Sequence, residues 1–261
     1  MSRLYLCFAF SIALLFAALS APSTAKAYPR RFVERPLVLP TATLRLDATF
    51  PLVSVDVPND DRINTFSMLL GLGVGVTPKL ELGAVLLPQQ LAGDFEYRNP
   101  SFYGLYKLLD TRIVDIAFRG DLYLPFDNAR EYVNGAVMPF SPWFGDAAVG
   151  IPIRLHIADV ARLDTGAHLG LVFTDPWGSR FTFPLQLSLQ ATEDFFIGPQ
   201  TGIQVVDGDR VDIPFGIFAG TTFGPANRPI LDLLGKFYLP DVDVGFDVFV
   251  LSVGLNIYLY L

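Results

Sequence analysis

Two groups of charged residues have side chains and a spacing that suit a ligand site or the wall of a pore. The first group lies on either side of residues 158–160 and comprises Arg154, His156, Arg162 and Asp164. If residues 158–160 form a tight turn between antiparallel strands, Arg154 lies opposite Asp164 on one face. The same register places His156 opposite Arg162. Such a cluster could form a constriction or ligand site, or a cross-strand salt bridge that fills an interior.

The second group comprises Asp115, Arg119 and Asp121, which share one parity of another apolar stretch. Lys107 would oppose Asp115 if residues 110–112 formed the turn before this stretch. An arginine that faces lipid at mid-depth costs about 2–4 kcal/mol, so in a membrane these side chains should face inward. We therefore expect all three to line a lumen, and we assign them no further role.

Catalytic and metal-binding patterns are weak in this chain. His156 and His168 are its two histidines. Both are expected to face the lumen, but they share no close spacing that would indicate a metal site. A nucleophilic serine would have to face one of them, and Ser188 is the nearest candidate to His168 by strand order. The sequence contains no nucleophile elbow and no metalloprotease helix. We predict no enzyme activity, no metal and no cofactor.

Apolar residues alternate with small or polar residues from Thr43 onward, which is typical of β-strands with two different faces. Each run is long enough to cross a bilayer, which takes about 9–11 tilted residues. Glycines on the polar parity, such as Gly71, Gly73 and Gly75, indicate either open volume or a close approach of another chain segment. The twelve predicted strands are residues 43–57, 64–77, 79–88, 101–109, 112–124, 147–157, 161–173, 181–191, 195–206, 211–223, 230–239 and 246–261.

The N-terminus has the pattern of a secretory signal peptide. Arg3 precedes an apolar run over residues 4–19, and Ala25 and Ala27 form a small-x-small cleavage pattern before Tyr28. A membrane anchor is the alternative, but about 16 apolar residues are short for a span. Cleavage would also remove the one cysteine, at position 7, so the exported chain would have no disulfide or thiolate site.

Composition excludes some partners and one kind of membrane span. The chain carries 19 Lys and Arg against 26 Asp and Glu, and loss of Arg3 and Lys26 with the signal leaves a net charge of −9. A nucleic-acid partner is disfavoured, because phosphate binding requires clustered positive charge. Apolar residues make up 51% of the chain, yet beyond the signal no run of about 18 could form a transmembrane helix.

The strand pattern leaves two kinds of barrel open. A soluble sandwich or lipocalin-like barrel would place the apolar parity inward. A transmembrane barrel would place it outward, and it would have to close because unpaired backbone groups are costly in hydrocarbon. Connections that alternate in length, short at one end and long at the other, favour the transmembrane barrel.

The last strand resembles the C-terminal β-signal of bacterial outer-membrane barrel proteins. Ser252, Gly254, Ile257 and Leu259 fit its pattern of polar-x-Gly-x-x-hydrophobic-x-hydrophobic. This resemblance covers nearly all of the chain after the signal, and it implies an all-β fold, a transmembrane antiparallel up-and-down barrel of about 12 strands. It also implies that the partners are outer-membrane lipid and the machinery that assembles such barrels in the bacterial outer membrane.

The expected organisation is a signal peptide over residues 1–27, a periplasmic lead-in over 28–42 and a barrel over 43–261. Twelve strands lie between the roughly eight that side chains fill and the roughly sixteen that leave a wide channel. We expect a narrow channel or transporter for small solutes, of the porin type. The alternatives are a non-conducting barrel that serves as a binding or structural envelope protein, and a barrel hydrolase. Residues 125–146 could form a plug, an aromatic patch at the membrane surface or an external loop.

Overall fold

Twelve antiparallel strands form one closed β-barrel in the computed structural model, which describes residues 28–56, 62–85, 89–90, 96–97, 100–123, 147–173, 178–225 and 227–261. The barrel strands are β1 (Thr43–Val55), β2 (Ile63–Thr77), β3 (Leu80–Val85), β4 (Ser101–Asp110), β5 (Val114–Tyr123), β6 (Ala147–Ile157), β7 (Ala161–Val172), β8 (Gly178–Gln190), β9 (Phe195–Val206), β10 (Phe215–Phe223), β11 (Leu231–Leu239) and β12 (Val248–Tyr260). The prediction of an up-and-down barrel of about 12 strands is confirmed.

Closure comes from β1, which pairs with β2 on one side and with β12 on the other. The β1–β12 register runs from Thr43 opposite Tyr260 to Val55 opposite Val248. Both ends of the barrel sequence therefore lie at the same end of the barrel. Because no barrel edge stays open, the strand backbone groups are paired, as hydrocarbon surroundings require.

The two ends of the barrel differ in their connections. One end, called the turn end here, carries the short connections around residues 78–79, 111–113, 158–160 and 191–194, together with Thr43 and Tyr260. The opposite end is called the loop end. In outer-membrane barrels the short turns face the periplasm.

The outer surface of the barrel is apolar and the inner surface is polar. Large apolar side chains such as Phe181, Phe183, Ile217 and Val253 are between 41% and 52% exposed on the outside. The alternate positions hold buried polar side chains, including Gln186, Ser188, Gln200, Thr222 and Asp232. A soluble barrel would have the opposite arrangement.

Three short strands and two 3-10 turns complete the described structure. Gln89–Gln90 pairs with Glu96–Tyr97 and with β2, whereas Arg210–Asp212 pairs with the end of β9. The turns cover Phe32–Glu34 and Gly245–Asp247. Among the described residues, no helix has both the length and the apolar character that a membrane-spanning helix requires.

Two details of strand register differ from the sequence expectation. Residues 211–223 are two strands instead of one, because Pro214 between them has no N–H group to donate to a ladder. The turn after β4 places Asp110 opposite Asp115, and beyond a register shift between Lys107 and Leu109, Lys107 lies opposite Ala117. The expected pairing of Lys107 with Asp115 is therefore wrong, because the turn lies between Asp110 and Asp115 instead of over residues 110–112. The irregularity in β4 changes the register by only one residue.

Candidate functional site

Residues 28–42, called the inner segment here, lie inside the barrel at the turn end. Tyr28, Val33, Val38 and Leu39 are buried, although the segment belongs to no barrel strand. At Gly75 of β2, an added Cβ would lie 1.9 Å from the carbonyl oxygen of Pro40. Glycine at this position therefore marks a close approach of the inner segment to the wall. The sequence interpretation placed these residues in a lead-in before the barrel, whereas the structure places them in its lumen.

Arg35 anchors the inner segment to the wall. Its Nη1 donates to Asp232 Oδ2 at 2.5 Å and its Nη2 donates to Oδ1 at 3.0 Å, which makes a bidentate pair. Nη2 also donates to Thr222 Oγ1 at 2.9 Å, and Nη1 donates to the Tyr258 hydroxyl at 3.2 Å. Arg35 is 1% exposed and Asp232 is 0% exposed, so the pair is shielded from water. Bidentate arginine–carboxylate pairs are among the strongest hydrogen-bonded contacts in proteins.

Aromatic rings surround the Arg35 guanidinium. The rings of Tyr28, Phe32 and Tyr258 each have their centroid 5.4 Å from its central carbon. Burial alone would lower the pKa of Arg35, but Tyr258 and Asp232 favour the charged form more strongly, and the pKa lies well above its usual range. The arginine is thus a permanent cation held within the lumen.

Wall side chains donate hydrogen bonds to the backbone carbonyl groups of the inner segment. Arg162 Nη1 donates to the Phe32 carbonyl at 2.5 Å. Arg154 Nη1 donates to the carbonyl groups of Arg35 and Pro36 at 2.9 and 2.8 Å. Each arginine also holds Asp164, at 2.6 Å from Arg154 and 2.8 Å from Arg162, so this carboxylate orients both guanidinium groups.

Other wall side chains accept hydrogen bonds from the backbone N–H groups of the segment. Val33 donates to Gln190 Oε1 at 3.3 Å, Leu37 donates to Asp115 Oδ2 at 3.2 Å, and Leu39 donates to Glu81 Oε2 at 2.9 Å. The wall therefore supplies both donors and acceptors for a chain without regular secondary structure. Buried backbone groups need such partners, because an unpaired one costs about 1–3 kcal/mol.

His156 contacts both a backbone carbonyl group of the inner segment and a wall carboxylate that accepts from the segment. Its Nδ1 lies 3.0 Å from the Val33 carbonyl oxygen, and its Nε2 lies 3.2 Å from Asp115 Oδ2. Which of the two ring nitrogens donates depends on the tautomer of the imidazole.

An aromatic stack adds a further contact between segment and wall. The Phe32 ring lies 3.8 Å from the Phe196 ring with an interplanar angle of 5°, and the Arg162 guanidinium covers the Phe32 ring at 3.9 Å. Contacts to the segment thus come from β2, from β3 and from each of the strands β5 to β12, and these wall residues lie within four residues of the turn end. The segment is held around most of the barrel circumference.

Beside and above the inner segment, the lumen wall carries a second layer of charge, which begins at Arg45 opposite Tyr258 and continues to Asp121 of β5. Arg45 pairs with Asp47 at 2.9 Å, and Arg119 pairs with Asp121 at 2.8 Å. Between these pairs the Tyr103 hydroxyl donates to Glu81 at 2.9 Å, and Arg119 covers the Tyr103 ring at 4.5 Å. Lys236 of β11 lies on the inward parity opposite Ser252, and within the described part of the chain no ion pair involves it.

The structure brings the first predicted group together. Arg154 lies opposite Asp164 and His156 lies opposite Arg162, as the register across residues 158–160 requires. The second group divides, since Asp115 contacts His156 and the inner segment, whereas Arg119 and Asp121 lie higher in the lumen. Cross-strand ion pairs and contacts to a bound chain segment therefore occur in the same cluster.

The candidate serine and histidine lie far apart. Ser188 of β8 is opposite Arg162, whereas His168 is opposite Thr182, which precedes Ser188 by six residues in β8. At about 3.3 Å per residue this separation is on the order of 20 Å, which is beyond hydrogen-bond reach. His168 instead packs over Gly150, where an added Cβ would lie 2.1 Å from its Nδ1.

The residues of the proposed assembly signal lie on β12 with alternating directions. Ser252 is buried on the inward parity with Gly254, whereas Leu259 is 43% exposed on the outside with Ile257. The proposed cleavage residues Ala25 and Ala27 and the connection over residues 125–146 lie outside the described residues.

Comparison with known proteins identifies the fold. No protein-family model and no curated protein matches the sequence. Among solved structures, the COG4313 outer membrane channel from Pseudomonas putida F1 matches with a TM-score of 0.57 and 14% identity over 92% of this chain and 99% of that chain. The KdgM porin matches with a TM-score of 0.52 and 8% identity over 81% of this chain and 98% of that chain. This is the fold of bacterial outer-membrane barrels.

Sequence reasoning missed the anchor of the inner segment. Arg35, Thr222, Asp232 and Tyr258 were not candidates, although all four are buried and hydrogen-bonded to one another. A signal was present, because Asp232 lies on the inward parity between Thr222 and Asn256, with no cation opposite it. An unpaired acid in a barrel interior requires a cation from elsewhere in the chain.

Proposed function

We propose that this protein is a narrow outer-membrane channel for small solutes, which the inner segment closes at the turn end. The observation that carries the proposal is the second layer of charge on the lumen wall, with Arg45, Asp47, Arg119, Asp121 and Lys236, within an apolar outer surface. A barrel interior that served only as packing would need no such layer above the inner segment. The two similar structures are named an outer membrane channel and a porin, which agrees with this proposal.

Passage through this channel requires the inner segment to move. Hydrogen bonds, one buried ion pair and aromatic contacts hold it, and all of them can break without disturbing a strand ladder. Segments that move in function belong to the less stable parts of a protein. We therefore expect a closed resting state and infrequent openings.

The secretory signal over residues 1–27, assembly through Ser252, Gly254, Ile257 and Leu259, and a place in the bacterial outer membrane belong to the same proposal. The distance between Ser188 and His168 supports a barrel without a catalytic site. A non-conducting barrel that binds a ligand or stiffens the envelope is the second candidate, and the filled turn end favours it.

Single-channel recording in planar bilayers tests the channel. We expect Arg35→Ala to raise the open probability at least tenfold over the unchanged protein, because about 1.4 kcal/mol is a factor of ten and the lost buried pair contributes more than that. The matched control is Arg31→Ala, since Arg31 pairs with Glu34 at 2.9 Å in an exposed position of the same segment. A folded protein that never conducts in any of the three forms would contradict the channel and favour the non-conducting barrel.

Ion selectivity gives an independent prediction. The net charge of −9 would suggest a cation preference, but Asp47 and Asp121 each pair with an arginine, whereas Lys236 has no ion pair among the described residues. We expect Lys236→Glu to shift the reversal potential in a KCl gradient toward cation selectivity. Lys79→Glu, the same change in an exposed turn, should leave it unchanged. Equal reversal potentials for both variants would mean that ions do not pass the level of Lys236.

A further inference from the structure

We propose that the turn end of the lumen is a binding site for a peptide that contains arginine, and that the inner segment occupies it as a built-in ligand. The inference rests on the proposed function, since the segment must leave before another ligand enters. It names the class of solute that this site would recognise.

The first argument is that the wall binds the backbone of the segment. Arg162, Arg154 and His156 contact carbonyl groups, and Gln190, Asp115 and Glu81 accept from N–H groups. These groups occur in every peptide, whatever its side chains. The wall therefore suits a peptide chain in general, and a solute that lacks this alternation of donors and acceptors would leave several of the wall groups unpaired.

The second argument is that the wall binds one side chain of the segment, Arg35, with specific geometry. Asp232 binds the Arg35 guanidinium through both oxygens, while Thr222 and Tyr258 accept further hydrogen bonds from Nη2 and Nη1. The carbonyl groups of Pro29 and Arg30 in the same segment accept from Nε and Nη2. Thr222 also donates to Asp232 Oδ1 at 2.8 Å, and Tyr258 donates to Oδ2 at 2.8 Å, so the carboxylate is fixed before a ligand arrives. A lysine ammonium lacks the planar fork that this arrangement matches.

A third contact adds an aromatic preference. Phe32, three residues before Arg35, stacks against Phe196 of β9 and lies under the Arg162 guanidinium. By contrast, the side chains of Arg31 and Glu34 pair with each other in exposed positions. The preferred ligand is therefore a short peptide with an aromatic residue three positions before an arginine. It should carry an apolar residue directly after the aromatic one, because Val33 is buried, and it should tolerate changes directly before the arginine, because Glu34 is exposed.

Fluorescence anisotropy with a labelled synthetic peptide of residues 28–42 tests the site. The receptor is the full chain with Phe32→Ala and Arg35→Ala, which removes the two side-chain anchors of the inner segment and leaves the wall intact. We expect the native peptide to bind saturably. A peptide with Arg35→Lys should bind at least tenfold more weakly, and a scrambled peptide should bind no more strongly than background. These comparisons change only the peptide, so a wall variant that failed to fold could not affect their result.

A wall variant then locates the site. Asp232→Asn in the same receptor should weaken binding of the peptide at least tenfold, whereas Asp212→Asn, at the loop end of the lumen, should not change it. Equal binding of the native, lysine and scrambled peptides, or no saturable binding, would overturn the inference. Conductance steps without peptide binding would leave the channel standing and remove the peptide site. Peptide binding to a barrel that never conducts would support the peptide site and contradict the channel.

Discussion

Replacing Asp232 with alanine is expected to lower the free energy of unfolding by about 3–5 kcal/mol, because Arg35 is then left in the lumen as a buried charge without its partner. Both groups are almost fully buried, so water screens the pair little. Urea-dependent unfolding of the protein in lipid vesicles measures the change. Arg31→Ala is the matched control, and loss of its exposed pair with Glu34 should cost about 0.2–1 kcal/mol at most.

A double-mutant cycle separates the ion pair from general damage to the barrel. The variant with both Arg35→Ala and Asp232→Ala should lose less stability than the sum of the two single variants, since neither charge is stranded in it. We expect a coupling of at least about 1.5 kcal/mol between the two positions. Additive losses would show that the two side chains do not act as a pair, and that the inner segment is held by its other contacts.

Placing an arginine on the outer surface should have the second-largest effect. Val253 is 52% exposed near the middle of β12, and we expect Val253→Arg to lower the free energy of unfolding by about 2–4 kcal/mol in lipid vesicles. The control is Thr49→Arg, because Thr49 lies on the paired strand at the same height but on the inward parity. Equal losses for both variants would contradict the assignment of the two faces.

The barrel could be predicted from the sequence because its signal is local. Each strand needs only the alternation of its own residues, and a three-residue turn at 158–160 is enough to set Arg154 opposite Asp164. A membrane strengthens this pattern, since every outward position must be apolar and no strand edge can stay open. The strand bounds in the structure accordingly differ from the expected ones by a few residues at most sites, and the larger difference at Pro214 has a local cause.

The inner segment could not be predicted in the same way, because its contacts are non-local. Arg35 and Asp232 are 197 residues apart, and no periodicity in residues 28–42 indicates burial. The position of Lys107 had a different cause, since the turn lies between Asp110 and Asp115 and is longer than the three residues expected over 110–112. The alternation of residue types therefore predicted the strands that form the wall of the site, but it did not predict that the inner segment fills the lumen.

The anchor of the inner segment also has a consequence for the order of assembly. Residues 28–42 are synthesised before any barrel strand, but their partners Asp232 and Tyr258 belong to the last two strands, 197 and 223 residues away from Arg35. Contacts of such long separation form late in folding. Arg35 therefore gains its full set of hydrogen bonds only when β11 and β12 are in place. An unfinished barrel without β11 and β12 would leave Arg35 without Asp232 and Tyr258, so the inner segment would lack its anchor until assembly is complete.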